Sequence, residues 1–248
     1  MSDFHQKFRE HYAMRENPST DELELFEKTQ KYSRFVSWIP GLRMIAICNT
    51  ISMYCSDADS DIDLFVVADE KRMWFVRILM TAIFHILGVR RYGNKVAKRF
   101  CLSFFSTTKG LDFNSFRLEH DIYLAYWIYY LKPIVDKGDT YKLLRKLNEN
   151  WTGEFFSPDE HDKDEKRYVA SSWACRRISM LSKFWDITDT LLKKMFFKKS
   201  PIHALSKKIL HLAPSDRDIK TPSGIIINDD MLKFHNNDVR EDIKKTLM

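Results

Sequence analysis

Cysteine is scarce in this chain, and what there is lacks pattern: Cys48, Cys55, Cys101 and Cys175 are the four thiols among 248 residues. No two stand in a C-x-x-C spacing, so neither a disulfide scaffold nor an all-cysteine zinc site is expected, and reduced thiols in a cytoplasmic protein are. Long hydrophobic runs are missing too. No stretch reaches the roughly 18 uncharged apolar residues that a membrane-spanning helix requires. The opening MSDFHQKFREHYAMRENPST has no apolar centre of the kind a secretory signal carries, so no membrane partner is expected. Internal repeats and low-complexity tracts are absent. Charge of one sign is not in large excess either: 40 Lys and Arg against 34 Asp and Glu leave a formal +6. That balance suits phosphate-bearing ligands without requiring a nucleic acid.

What the chain does have is material for a core, because 44% hydrophobic residues with 14% aromatics is the composition of a globular protein rather than a disordered one. Ser19-Thr20-Asp21-Glu22 reads as the capped start of a helix that runs to about Trp38, where Pro40-Gly41 ends it. Leu42 to Cys48 is a short, nearly continuous apolar run and reads as a buried strand. A polar, aspartate-rich stretch then leads into Asp61-Ile62-Asp63-Leu64-Phe65-Val66-Val67, whose second half is strongly strand-forming. Met73 to Leu87 predicts a buried helix stopped by Gly88, and Phe100 to Ser106 a third strand. Beyond these, Leu118 to Leu131 predicts an aromatic helix closed by Pro133, Tyr141 to Leu147 a short helix, and 168 to 197 a long amphipathic one. The tail offers an edge strand at Gly224 to Ile227 and a terminal helix in LKFHNNDVREDIKKTL. The expected organisation is α/β, of the α+β kind. A helical lead-in (1–40) precedes a small mixed-sheet domain (41–115), then a mainly helical region (116–200) and a basic tail (201–248).

Chemistry concentrates at Asp61 and Asp63. One residue apart at the start of a strand, they send both carboxylates to one face while Ile62 and Leu64 enter the core. Two such carboxylates can bridge magnesium ions, and phosphoryl transfer uses pairs of Mg²⁺ about 4 Å apart to stabilise the attacking and leaving oxygens.

The strand LRMIAIC, the small polar turn Asn49-Thr50, a ten-residue spacer and Ser60-Asp61-Ile62-Asp63-Leu64-Phe65-Val66-Val67 are similar to the signature of the polymerase-beta-like nucleotidyltransferase superfamily. The resemblance covers roughly residues 35 to 110. It implies a nucleotidyltransferase-like domain in which Asp61 and Asp63 hold Mg²⁺ and Asn49, Thr50 and Ser60 shape the turn around a nucleoside triphosphate. Arg99, within the basic run Arg90, Arg91, Lys95, Lys98 and Arg99, would neutralise phosphate. A hydroxyl of an RNA, a small molecule or a protein side chain would attack the α-phosphate and release pyrophosphate. Two departures accompany the match. Asn49 stands where the family has glycine, and the later strand carries Cys101 or Ser103 where the family presents a third carboxylate. The nearest substitute is Asp112 in Gly110-Leu111-Asp112-Phe113. Because that carboxylate commonly acts as general base, its loss is worth roughly 10²- to 10⁴-fold in rate. A catalytically degenerate binding or assembly module is therefore the alternative expectation.

Other groups carry blander readings. The aromatics Tyr123, Tyr126, Trp127, Tyr129 and Tyr130 recur at helical spacing and are expected in a core rather than stacked on bases. His120-Asp121 and His161-Asp162 lack partner histidines and read as incidental. The lysines of 193 to 208 read as a helix end complementing its dipole, and His235 to Asp238 with Arg240 as a polar group without an evident mechanism.

Overall fold

The computed structural model describes residues 3–156, 191, 225–234 and 239–247. The long helix expected at 168–197, the basic cluster of 193–208, His161-Asp162 and His235 to Asp238 lie outside them. Within the described residues the chain forms seven α-helices and one six-stranded mixed sheet.

Helix α1 (Asp3–His11) is followed by α2 (Thr20–Ser33), which opens on a reciprocal cap. The Ser19 hydroxyl accepts from the Glu22 amide at 3.2 Å and the Glu22 carboxylate accepts from the Ser19 amide at 2.8 Å. The helix ends five residues before the expected Trp38, and tight turns carry the chain to Gly41. There φ is +82°, and a Cβ would lie 2.7 Å from Cγ of Arg72, so only glycine fits the corner.

Strand β1 (Leu42–Ile47), the single turn α3 (Asn49–Ser52) and strand β2 (Ile62–Ala68) follow, with β1 and β2 antiparallel. Helix α4 (Met73–Ile86) then crosses over to β3 (Phe100–Thr107), which lies parallel to β2. Alternation splits the strands between two cores. Ile45, Ile47, Ile62, Leu64, Val66 and Phe100 face α2 and α4. Met44, Ala46, Cys48, Phe65, Val67 and Phe104 face α1 and the helices described next.

Helix α5 (Ile122–Tyr130) lays Leu124 to Ile128 on that second face, and Trp127 packs its ring against Phe65 and Phe104. Full burial of side chains this size is worth about 1.5–3 kcal/mol each. The aromatic run is thus core, as its spacing suggested. The expected mainly helical region also contains a strand, β4 (Lys132–Asp136), antiparallel to β1 at the sheet edge. Pro133 is its second residue rather than merely closing the helix, because an edge strand tolerates a residue with no amide hydrogen. Helix α6 (Thr140–Thr152) is longer than the expected Tyr141–Leu147. In the tail, β5 (Ile225–Ile227) is an edge strand as predicted, but Leu232–Phe234, read as the start of the terminal helix, belong to β6 (Met231–Phe234), which lies between β3 and β5. Among the described residues that follow, Arg240–Leu247 forms a helix, α7.

Candidate metal centre

The start of β2 and the start of β3 carry the group that the sequence emphasised. Asp63 pairs directly with Cys101 across the parallel strands. One ligand atom each from Asp61, Asp63 and Cys101 lies within 4.8 Å of the others. These three side chains could hold a metal ion.

Supporting contacts fix the carboxylates. Nδ2 of Asn49 donates to Oδ2 of Asp63 at 2.7 Å, and Nε1 of Trp127 donates to Oδ1 of Asn49 at 2.8 Å. A chain thus runs from the aromatic core of α5 to the second aspartate. Asn49 has φ +58°, in the left-handed region that asparagine adopts more readily than other residues with a side chain. It preserves the backbone turn expected of a glycine and uses its amide to orient Asp63. Main-chain bonds close the frame, from the Cys48 amide to the Asp63 carbonyl at 3.0 Å and from the Ile62 amide to the Arg99 carbonyl at 2.7 Å.

Asp61 is held differently. Its Oδ2 lies 2.6 Å from Nη1 of Arg91, with the carboxylate side chain 17% exposed and the arginine 43%. The same Nη1 is 3.9 Å from Sγ of Cys101. Burial opposes the Arg91 charge, but Asp61 and its neighbours outweigh it and hold the guanidinium above its ordinary range. Burial first, and then the Asp63 carboxylate, push the Cys101 thiol well up, and Cys101 Sγ donates toward the Ser103 hydroxyl at 3.3 Å. Cys101 is therefore a neutral thiol at physiological pH, unsuited to taking a proton from an attacking hydroxyl.

The remaining expected site residues are distributed as follows. Ser60 adjoins the pair, yet its hydroxyl donates to Oδ1 of Asp57 at 2.8 Å and accepts from the Asp57 amide at 3.0 Å, tying off the loop. That loop is anchored from below by the buried Glu22 carboxylate, which accepts from the Ser56 amide and hydroxyl and pairs with Arg15 at 2.7 Å. Thr50 is exposed on the turn beside Asn49. Arg99 donates to the Gly88 carbonyl at the end of α4. Of the basic run, Lys98 pairs with Asp21 at 3.1 Å, Lys95 lies over the Tyr92 ring at 5.4 Å, and Arg91 reaches Asp61. Asp112 caps a 3-10 turn beyond the far end of β3, accepting from the Asn114 amide at 3.0 Å. Since β3 places Cys101 and Thr107 roughly 20 Å apart, Asp112 is separated from Asp61, Asp63 and Cys101 by most of a strand.

Sequence reasoning named the basic run but selected Arg99 over Arg91, and it did not foresee Trp127 as a support for Asn49. Neither had a signal in the sequence, since both depend on contacts between residues 30 to 78 positions apart. No known family profile and no curated protein matches this chain.

Proposed function

We propose that this protein is a nucleotidyltransferase-like enzyme in which Asp61 and Asp63 hold Mg²⁺ against a nucleoside triphosphate and a nucleotidyl group passes to a hydroxyl acceptor. The acceptor classes are RNA, a small molecule or a protein side chain. The observation that carries the reading is the convergence of both carboxylates at the end of a β1-turn-β2 unit whose turn residue, Asn49, is bonded to Asp63. Two oxygen ligands fixed by a second layer of hydrogen bonds fit a hard divalent cation, which would supply charge neutralisation on the phosphates. The chain's own contribution is to orient Asp63 through Asn49 and Trp127 and to offer Arg91, beside Asp61, as a cation for a phosphate oxygen. Transfer of labelled nucleotide to an added acceptor tests the reading. Loss of metal-dependent labelling in Asp61→Ala and Asp63→Ala is the expected result, and undiminished labelling in both refutes it.

One observation favours a second reading, a degenerate module that binds nucleotide without transferring it: Cys101 stands beside Asp63 with its thiol protonated. If the site lacks only its base, Cys101→Asp raises transfer by roughly 10²- to 10⁴-fold. Transfer already present in the wild type and unchanged by that substitution supports the enzyme.

A further inference from the structure

The third ligand position of the metal-ligating group does not suit Mg²⁺. Magnesium demands near-octahedral oxygen coordination and holds its water tightly, and sulfur is a poor replacement for either. We propose that, without nucleotide, Asp61, Asp63 and Cys101 form a binding site for a thiophilic divalent cation, Zn²⁺ or Co²⁺, in preference to Mg²⁺.

Three features of the site support this. Cys101 and Asp63 are a cross-strand pair and Asp61 is two residues away on the same face, so backbone pairing alone gathers one sulfur and two oxygens within 4.8 Å. Zinc bonds of about 2.0–2.2 Å to oxygen and 2.3 Å to sulfur place tetrahedral ligands roughly 3.5 Å apart, which small side-chain rotations reach from here. The second feature is support from behind. Asn49 fixes Asp63, Trp127 fixes Asn49, and Ser103 lies 3.3 Å from the sulfur, the kind of outer layer that orients ligands before a metal arrives. The third is a cation already in place. The Arg91 guanidinium sits 2.6 Å from Asp61 and 3.9 Å from the Cys101 sulfur, a side chain that stands where a metal's charge would stand. It is 43% exposed and comes from a loop, so it can leave without disturbing either strand. A cation taking its place binds the thiolate, the thiol proton passes to solvent, and the fourth position stays open. Mixed sulfur and oxygen ligation follows the affinity order in which zinc and cobalt far exceed magnesium.

This inference rests on reading Asp61 and Asp63 as metal ligands but needs no nucleotide, so the two can fail separately. The test uses the full chain, stripped with a chelator and titrated with Co²⁺ while absorbance is recorded. The expected result is a sulfur-to-cobalt charge-transfer band in the near ultraviolet that Zn²⁺ abolishes and a large excess of Mg²⁺ leaves intact. Cys101→Ser loses the band and weakens Zn²⁺ binding by about 10-fold or more, whereas Cys55→Ser keeps both. Cys101→Asp, a second variant, loses the band while binding Mg²⁺ more tightly than the wild type. No band in the wild type, a band surviving Cys101→Ser, or ready displacement by Mg²⁺ overturns the proposal. A band in a protein that binds no nucleotide upholds it while the nucleotidyl-transfer reading falls. Nucleotide binding without any band does the reverse.

Discussion

At the scale of single residues, Asp61 and Asp63 share a face because a strand's period of two sends alternate side chains the same way. Asn49 combines a left-handed turn with an amide that reaches Asp63. Asn49→Ala forces alanine into that conformation at roughly 1–2 kcal/mol and also removes both hydrogen bonds, while Asn49→Gly removes the bonds alone. Chemical denaturation should therefore rank wild type above Gly above Ala, and equal losses in the two variants would show that the turn conformation is unstrained. Arg91 competes with any cation for Asp61. Because the arginine side chain is 43% exposed and screened by solvent, removal of the pair is worth no more than about 1 kcal/mol. Arg91→Ala should thus tighten divalent-cation binding up to about fivefold, measured by calorimetry, and weaken triphosphate binding. Cys55 supplies a pH test. Burial and then Glu22 push its thiol from an ordinary value near 9.0 up to about 11. Between those values the native state keeps a proton that the unfolded state has lost, so stability falls as pH rises through that window. In a Cys175→Ser background, alkylation of Cys55 should climb steadily with pH until about 11, whereas a plateau near 9 would contradict the desolvation.

At the scale of elements, β1, β2, α4 and β3 were read closely from the sequence because each combines an apolar run with a turn signal. What the sequence hid were elements whose stability comes from partners distant in the chain. β4 follows α5 after the single residue Leu131 and contains Pro133, and β6 has only four residues, so neither carries a periodic signal of its own. Each exists because an edge of the growing sheet is available to pair with it. Helix α7 is held to α5 by a pair that sequence could not join: Arg240 lies 2.9 Å from Asp121, with side chains 3% and 1% exposed. Asp121 also caps α5 by accepting from the Leu124 amide at 3.0 Å, which gives the incidental His120-Asp121 dipeptide a structural purpose. Removing one partner of so buried a pair costs about 3–5 kcal/mol. Arg240→Ala should show that loss in denaturation, with hydrogen exchange accelerated in α7 and at the start of α5. A loss below 1 kcal/mol would mean the helix is held by Ile243 and Leu247 instead. Gly110 tests the junction with β6, since a Cβ there would lie 2.4 Å from the Asp230 carbonyl and 2.7 Å from the Ser106 hydroxyl. Gly110→Ala should destabilise by about 1–3 kcal/mol and loosen β6 from β3 in hydrogen exchange.

At the scale of the whole molecule, one sheet with a core on each face places the candidate centre. The starts of β2 and β3 bring Asp61, Asp63 and Cys101 together, the aromatic core of α5 braces them through Trp127 and Asn49, and α2 anchors the preceding loop through Glu22. Mixed α/β architecture followed from the order of apolar runs. The third position was narrowed only to Cys101 or Ser103, and the register of β2 on β3, which pairs Asp63 with Cys101, decides between them. The most direct measurement is calorimetric titration of nucleoside triphosphates into wild-type protein with and without Mg²⁺, repeated on Asp61→Ala and Asp63→Ala. The account predicts binding that requires the cation and disappears in both variants. Nucleotide binding that persists without a cation and in both variants, or no binding under any of these conditions, would contradict it.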